Sequence, residues 1–166
     1  MTTRQVHGQD YQRTITAAAS PAALLDRISR VSDWWGTGVT GRSQAAGDVF
    51  TIRFGDTFID FRVAEVVPNE KVVWNVTDCH LAWLNHKTEW QGTAIVWEVT
   101  PERPGGTRVR MTHVGLVPGI ECFEDCERGW DFYVGESLLK LVTEGRGLPN
   151  GQRRSAAGRS NTPAGR

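Results

Sequence analysis

Residues 107–145 read TRVRMTHVGLVPGIECFEDCERGWDFYVGESLLKLVTEG, and the period of their apolar residues changes once. The first eight residues alternate between apolar and polar, which predicts a half-buried β-strand. After Pro118-Gly119 the apolar residues recur at steps of three and four, which predicts a long helix over Glu121–Glu144. At 1.5 Å per residue this helix is about 36 Å long, enough to cross the mouth of a curved sheet.

The segments before this stretch are rich in β-branched and aromatic residues and are separated by turn residues. The predicted strands are Asp10–Ala18, Asp48–Phe54, Thr57–Val66, Lys71–Thr77 and Thr88–Thr100. Short turns such as Gly55-Asp56 join antiparallel neighbours. We therefore expect an α+β fold, in which a curved antiparallel sheet of six to seven strands wraps around the long C-terminal helix.

Two short helices are predicted after the first strand. Ser20 is a favourable N-cap and Pro21 suits the first helical position, so a helix is expected over Pro21–Val31. A second helical turn is expected around Asp33-Trp34-Trp35, ended by Gly36 and Gly38.

The length suits one domain, and the chain divides into a domain over 10–149 and two terminal segments. We expect residues 1–9 to be a flexible tail and 150–166, which lack large apolar side chains, to be a disordered tail containing arginine. The chain has 19 basic and 19 acidic residues, and four arginines follow Asn150 with no acid. The remainder is mildly acidic, which argues against nucleic-acid binding because phosphate contacts need a basic face.

The cellular setting is predicted from what the sequence does not contain. Residues 1–10 have no apolar core of a signal peptide, and no apolar run approaches the roughly 20 residues that span a bilayer. The three cysteines are an odd number, which argues against a secreted disulfide framework. We expect a cytoplasmic protein, monomeric or homodimeric, without a membrane span.

Several local phrases, in this order, resemble the START-like SRPBCC superfamily over about residues 10–147. They are Ala19-Ser20-Pro21-Ala22, Trp34-Trp35, Val63-Ala64-Glu65-Val66-Val67-Pro68, Val72-Val73-Trp74, the stretch from Thr107 to Leu116, Gly129-Trp130, Leu138-Leu139 and Leu141. Within that superfamily the chain looks most like the group related to the activator of the ninety-kilodalton heat-shock-protein ATPase. The resemblance implies the helix-grip fold.

The superfamily uses one fold for several functions, so the resemblance leaves three open. The first is a binding domain that holds a hydrophobic or aromatic small molecule between the sheet and the C-terminal helix. The second is a co-chaperone-like domain that stimulates a heat-shock ATPase in the stress response. The third is a cyclase- or hydrolase-like enzyme that uses the same cavity. No cofactor is expected, and the partner is either the small molecule or a chaperone.

Seven tryptophans in 166 residues are the most unusual feature of the composition. Rings of this size either fill a core or line a cavity that suits an apolar ligand. Strand alternation and helical spacing place several of them around one space. The residues expected to line it are Trp35, Trp74, Trp97, Met111, His113, Trp130 and Val134.

Acid–base chemistry has few candidates. His113 lies near the end of an alternating strand and is either a ligand contact or base or a structural histidine with satisfied hydrogen bonds. Asp60 and Arg62 share one parity of their strand, opposite the more apolar Ile59, Phe61 and Val63. We expect the apolar parity inside and the charged pair in solvent. Asp60 or Glu89 would accompany His113 if the protein is an enzyme, but no nucleophile–base spacing is present.

Four potential soft metal ligands also occur. Cys122 and Cys126 are four residues apart on the predicted helix, and Cys79-His80 precede it. This spacing is not a recognised zinc pattern, because a Cys-x-x-Cys pair is absent. We therefore expect small thiols that are buried or partly exposed, and no metal site.

Overall fold

The computed structural model describes residues 9–154, which form a seven-stranded antiparallel sheet and a broken C-terminal helix. The strands are β1 (Tyr11–Ala17), β2 (Gly38–Gly41), β3 (Val49–Phe54), β4 (Thr57–Val67), β5 (Lys71–His80), β6 (Ala94–Glu102) and β7 (Gly106–Val114). Their order across the sheet is β1-β7-β6-β5-β4-β3-β2. The first strand thus pairs with the last, and the intervening strands form a meander. The predicted fold class is confirmed.

Side-chain alternation sets which face of the sheet is inside. On β4, Ile59, Phe61 and Val63 are buried, whereas Arg62 is exposed. Asp60 is half-buried on the outer face, where it accepts a hydrogen bond of 2.6 Å from Thr51 Oγ1. The apolar parity is therefore internal, as expected, and no buried ion pair forms from these residues.

Two short helices, α1 (Pro21–Ser29) and α2 (Val31–Trp34), follow β1. Ser20 caps α1 by accepting from the amide of Ala23 at 3.1 Å. The predicted helix over Pro21–Val31 is broken at Arg30, where the backbone leaves the helical region. The break lets α2 turn Trp34 into the core, where its Nε1 donates to the carbonyl of Ile28.

The C-terminal helix comprises α3 (Phe123–Phe132), a π-helical segment (Tyr133–Leu138) and α4 (Leu139–Glu144). It lies across the concave face of the sheet. In the π segment Gly135 lies against the guanidinium of Arg13, and a side chain at position 135 would have to displace the end of that arginine side chain. A glycine inside a helix otherwise costs about 1 kcal/mol relative to alanine.

Three further details differ from the sequence expectations. Strand β6 begins at Ala94 rather than Thr88, because residues 81–93 form turns that connect it to β5. The short strand β2 was not predicted, since its glycine-rich sequence gives no alternation. The tail expected from residue 150 begins inside a 3-10 turn, Pro149–Arg154, and its remainder lies outside the described residues, as does most of the N-terminal tail.

None of the helices among residues 9–154 combines the length and the apolarity that a membrane crossing requires.

Candidate ligand-binding cleft

A small cleft opens where the start of the C-terminal helix meets the sheet. The sheet side of the cleft is formed by Phe54, Thr57 and Ile59. Trp35, the residue that follows α2, also lines it. The connection between β5 and β6 and the helix supply the other walls, which are Leu81, Trp83, Trp90, Cys126, Gly129, Trp130 and Tyr133. Six of the lining residues are aromatic, so the cleft presents ring surface on every side.

The volume of the cleft is about 20 Å³. That is little more than the roughly 10–15 Å³ that one water molecule needs. No charged side chain from residues 9–154 lines it. Trp83 lies at its mouth and is 38% exposed, whereas the other six tryptophans are buried. The cleft is thus apolar, uncharged and sized for a single small group.

The rings around the cleft are held by contacts with one another. The Trp35 and Trp130 ring centroids are 4.8 Å apart, and Trp90 stacks on Trp130 at 6.1 Å with an interplanar angle of 10°. Trp35 is also fixed through its backbone, because its carbonyl accepts from the amide of Asn150 at 2.9 Å. The walls of the cleft are therefore rigid on the helix and sheet sides.

The connection between β5 and β6 is tied to the start of α3 by two carboxylates, which we call the carboxylate clasp (Glu89 and Glu121). Glu89 accepts from the amides of Glu121 and Cys122, each at 2.8 Å. Glu121 accepts in return from the amides of Asn85 and His86, each at 2.8 Å. These hydrogen bonds to the backbone lower the pKa of Glu121. The clasp holds Trp83 and Trp90 against the helix.

His113 lies beneath the cleft and is completely buried. Trp130 Nε1 donates to its Nδ1 at 3.1 Å, and its Nε2 lies 2.9 Å from Thr93 Oγ1. The Thr93 hydroxyl donates to the carbonyl of Trp90 at 2.7 Å, so it accepts from Nε2–H. The imidazole is thus neutral, and both of its ring nitrogens are engaged in hydrogen bonds. Burial lowers the pKa of His113 to about 3. This geometry leaves no free nitrogen for a base.

Of the seven residues expected to line a cavity, Trp35 and Trp130 line the cleft. The others are completely buried in the packed core: Trp74, Trp97, Met111, His113 and Val134. Trp97 packs edge-on against both Trp34 and Trp74, at 5.6 and 5.4 Å between centroids. Among residues 9–154 these rings fill most of the space between sheet and helix, and the end near Trp130 stays open.

The acid–base candidates do not converge. His113 is enclosed, Asp60 lies on the outer face of the sheet, and Glu89 is bound to backbone amides in the clasp. A wider depression of about 460 Å³ lies between the β6–β7 turn and the start of α1. Its lining residues, such as Ser20 and Arg103, are exposed or half-buried, so it is an open surface groove.

The three cysteines are free and buried, as expected. Cys79 lies at the end of β5, where its sulfur is 3.7 Å from the carbonyl of Lys87. Cys122 accepts from Trp90 Nε1 at 3.3 Å, and Cys126 lines the cleft. Within residues 9–154 no three His, Cys, Asp or Glu side chains form a group that could hold a metal ion.

Sequence reasoning missed the contributions of Phe54, Trp83, Trp90 and Tyr133. Trp90 was placed on a strand that in fact begins four residues later. Phe54 and Thr57 flank a turn whose signal was visible, Gly55-Asp56, but nothing local showed that this turn faces the helix. The cleft is assembled from segments far apart in the chain, so only the tertiary fold brings it together.

Comparisons with known proteins agree with this architecture. The Aha1 dimer of Colwellia psychrerythraea, solved in solution, has a TM-score of 0.69 at 23% identity over 84% of this chain and 99% of that one. Bacillus halodurans BH1534 has a TM-score of 0.62 at 16% identity, covering 83% and 99% of the two chains. Mesorhizobium loti MLL2253 has a TM-score of 0.61 at 18% identity, covering 80% and 96%. At these identities the likeness shows the fold alone.

Sequence comparison is decisive for the family. None of the curated proteins matches the chain. A family model does match, over residues 23–143, which is most of the domain, and the family is described as activator of Hsp90 ATPase homolog 1-like protein. The resemblance seen in the sequence is thereby confirmed, and the chain belongs to the activator of Hsp90 ATPase homolog 1-like family.

Proposed function

We propose that this protein binds a small apolar ligand, and that an aromatic ring of the ligand enters the cleft between the sheet and the start of the C-terminal helix. The observation that carries the proposal is the lining itself, in which six aromatic residues surround a partly open space and no described charged residue enters it. Pockets for small molecules are concave and mostly apolar, with few polar groups. A neutral, flat group is the ligand that such walls favour.

The size of the cleft limits which part of a ligand it holds. A volume of about 20 Å³ admits no whole sterol or fatty acid. We therefore infer that one ring or ring edge enters, and that the rest of the ligand lies outside against Trp83. Movement of Trp83, the exposed ring at the mouth, would provide the additional room, since the other walls are packed against the core.

The test is a thermal-shift and calorimetric titration with 2-naphthol, with cyclohexanol as the non-aromatic control. Binding to the folded state raises the unfolding free energy by about 2.7 kcal/mol at a ligand concentration of 100 times Kd. We expect a concentration-dependent rise in Tm with 2-naphthol and a much smaller one with cyclohexanol.

Gly129→Leu is the matched variant. Gly129 lies in the wall on α3, so a leucine there occupies the cleft, while replacing a helical glycine removes a cost of about 1 kcal/mol. We expect Gly129→Leu to stay folded and to lose the response to 2-naphthol. Trp97→Phe should keep the response, because Trp97 lies behind Trp130, at 6.5 Å between ring centroids, and does not itself line the cleft. Equal responses of wild type and Gly129→Leu would contradict the proposal.

Interaction with a chaperone is a second candidate function, favoured by the family match over residues 23–143 and by a core that is largely filled. A filled core suits a domain that acts through its surface. The expected result is a faster ATPase of an Hsp90-type chaperone when the full chain is added. An unchanged rate across a range of concentrations, with complex formation checked by ultracentrifugation, would exclude this function. The expectation of a monomer or a homodimer is untested, and the same ultracentrifugation experiment measures it.

A further inference from the structure

Two cysteines lie one helical turn apart at the start of α3, beside the inner wall of the cleft. Cys122 is completely buried, and Cys126, one helical turn later, lines the cleft and is 5% exposed. The Cys122 sulfur accepts from Trp90 Nε1 at 3.3 Å, and Trp90 and Cys126 both line the cleft. A backbone hydrogen bond of 2.8 Å from the Cys126 amide to the Cys122 carbonyl places the two residues one turn apart on the same helix face. The pair is thus a preorganised dithiol with one side open to the cleft.

The geometry of this pair excludes a direct sulfur–sulfur bond. Residues four apart on a helix have Cβ atoms about 5–6 Å apart. A disulfide requires about 3.5–4.5 Å between Cβ atoms, so forming one would unwind the first turn of α3. A single atom that bonds both sulfurs spans the longer gap, because each bond to a thiolate sulfur adds about 2.3 Å. The pair therefore suits a one-atom bridge.

The surroundings select the chemistry of the bridging atom. Zinc needs four ligands, and residues 9–154 contain no group of three that could hold a metal. Copper(I) with two thiolates leaves a net negative charge, which is costly in an apolar wall. Burial also raises the pKa of the Cys126 thiol, which opposes formation of a thiolate. An adduct that is electrically neutral avoids these costs.

We propose that Cys122 and Cys126 form a binding site for a monosubstituted trivalent arsenical whose aryl group lies in the aromatic cleft. The reaction of an arsonous acid, R–As(OH)2, with the two thiols breaks two As–O bonds and two S–H bonds. It forms two As–S bonds and releases two molecules of water, without change of oxidation state. The product R–As(S-Cys)2 is neutral, and R points from the sulfurs toward Trp130.

The site stands on the two sulfurs and does not require the proposed function. Binding of 2-naphthol without capture of the arsenical would contradict the dithiol site alone. Capture of the arsenical without binding of 2-naphthol would contradict the aromatic ligand alone. The two proposals can therefore fail separately.

The experiment uses the full chain in its reduced form and phenylarsine oxide as the probe, followed by gel filtration, intact mass measurement and thiol titration after unfolding. The chain has three cysteines. We expect one phenylarsenic group per chain and a fall in free thiols from three to one. Tryptophan fluorescence should be quenched in step, because Trp90 contacts the Cys122 sulfur.

Cys79→Ala is the matched control, since this third buried thiol lies outside the pair. It should bind one phenylarsenic group and retain no free thiol. Cys126→Ala should lose the adduct, because a single sulfur does not hold the probe through gel filtration. Its fold is checked by circular dichroism, and it decides the test even where Cys122→Ala does not fold. A stable adduct in Cys126→Ala, loss of the adduct in Cys79→Ala, or no adduct in the native wild type would each overturn the proposal.

Discussion

At the scale of single residues, His113 shows how a titratable group becomes structural. Its inward position follows from strand alternation and could be predicted. Its hydrogen bonds could not, because Trp130 and Thr93 are 17 and 20 residues away in sequence and meet it only in the folded chain. The direction of each hydrogen bond is set by Trp130, whose indole N–H can only donate. The ring is thereby held in the neutral form that carries its proton on Nε2.

This neutral form makes stability depend on pH in a definite direction. The pKa of His113 is lowered to about 3 in the folded protein, from 6.5 in an unfolded chain. The unfolded state therefore binds a proton that the folded state does not as pH falls below 6.5. The contribution of His113 to the unfolding free energy therefore decreases by about 1.4 kcal/mol for each pH unit below 6.5, until pH approaches 3.

Urea unfolding at pH 7, 6 and 5, combined with NMR of the imidazole nitrogens, measures this effect. We expect unchanged nitrogen shifts down to pH 5, together with a falling unfolding free energy. His113→Gln should show a shallower decline over the same range. An imidazole that titrates near pH 6.5 in the folded protein would contradict the assignment.

At the scale of elements, the carboxylate clasp determines where the β5–β6 connection lies. The sequence misleads here, because Thr88–Thr100 is rich in strand-forming residues although only its second half pairs with neighbouring strands. Glu89 and Glu121 are both ordinary surface residue types, so nothing in the sequence marked them. Carboxylates that accept backbone amides at the start of a helix are stabilising, through hydrogen bonds and the helix dipole.

Replacing one carboxylate of the clasp should loosen this connection. The side chain of Glu89 is only 8% exposed, and it accepts two amides. Glu89→Gln keeps the shape but places an NH2 group against one of those amides, at a cost of about 1–3 kcal/mol. We expect faster hydrogen exchange at the amides of Glu121 and Cys122 and a lower Tm.

Glu124→Gln, at an exposed position of α3, is the control. It should change neither the hydrogen exchange of those amides nor the Tm. If Glu89→Gln exchanged like the control, the clasp would not hold the connection.

The C-terminal helix illustrates the limit of periodicity at this scale. The predicted boundaries, Glu121–Glu144, are close to the observed ones, because the apolar spacing and the left-handed Gly145 that ends the helix report them directly. The π segment, Tyr133–Leu138, was not predicted, since no local pattern of the sequence marks it. That segment carries Tyr133 into the cleft wall. The local sequence thus predicts that this helix exists, whereas its shape depends on the tertiary fold.

At the scale of the whole molecule, the order and spacing of elements were enough to predict the helix-grip architecture. They were not enough to show how much of the interior stays open. Seven tryptophans could either line a large cavity or fill the core. Here six of them are buried and fill the core, and Trp83 lies at the surface. The difference depends on how rings such as Trp34, Trp74 and Trp97 interlock, which no local pattern encodes.

We propose that, within residues 9–154, a ligand enters the core at the cleft beside Gly129 and Trp130. Diffraction from crystals exposed to bromobenzene measures this directly, because the bromine marks the position of the ring. We expect a bromine site among Trp35, Trp83 and Trp130, and its loss in Gly129→Leu. Bromine bound deep in the core between Trp74 and Trp97, or bound equally in Gly129→Leu, would contradict it.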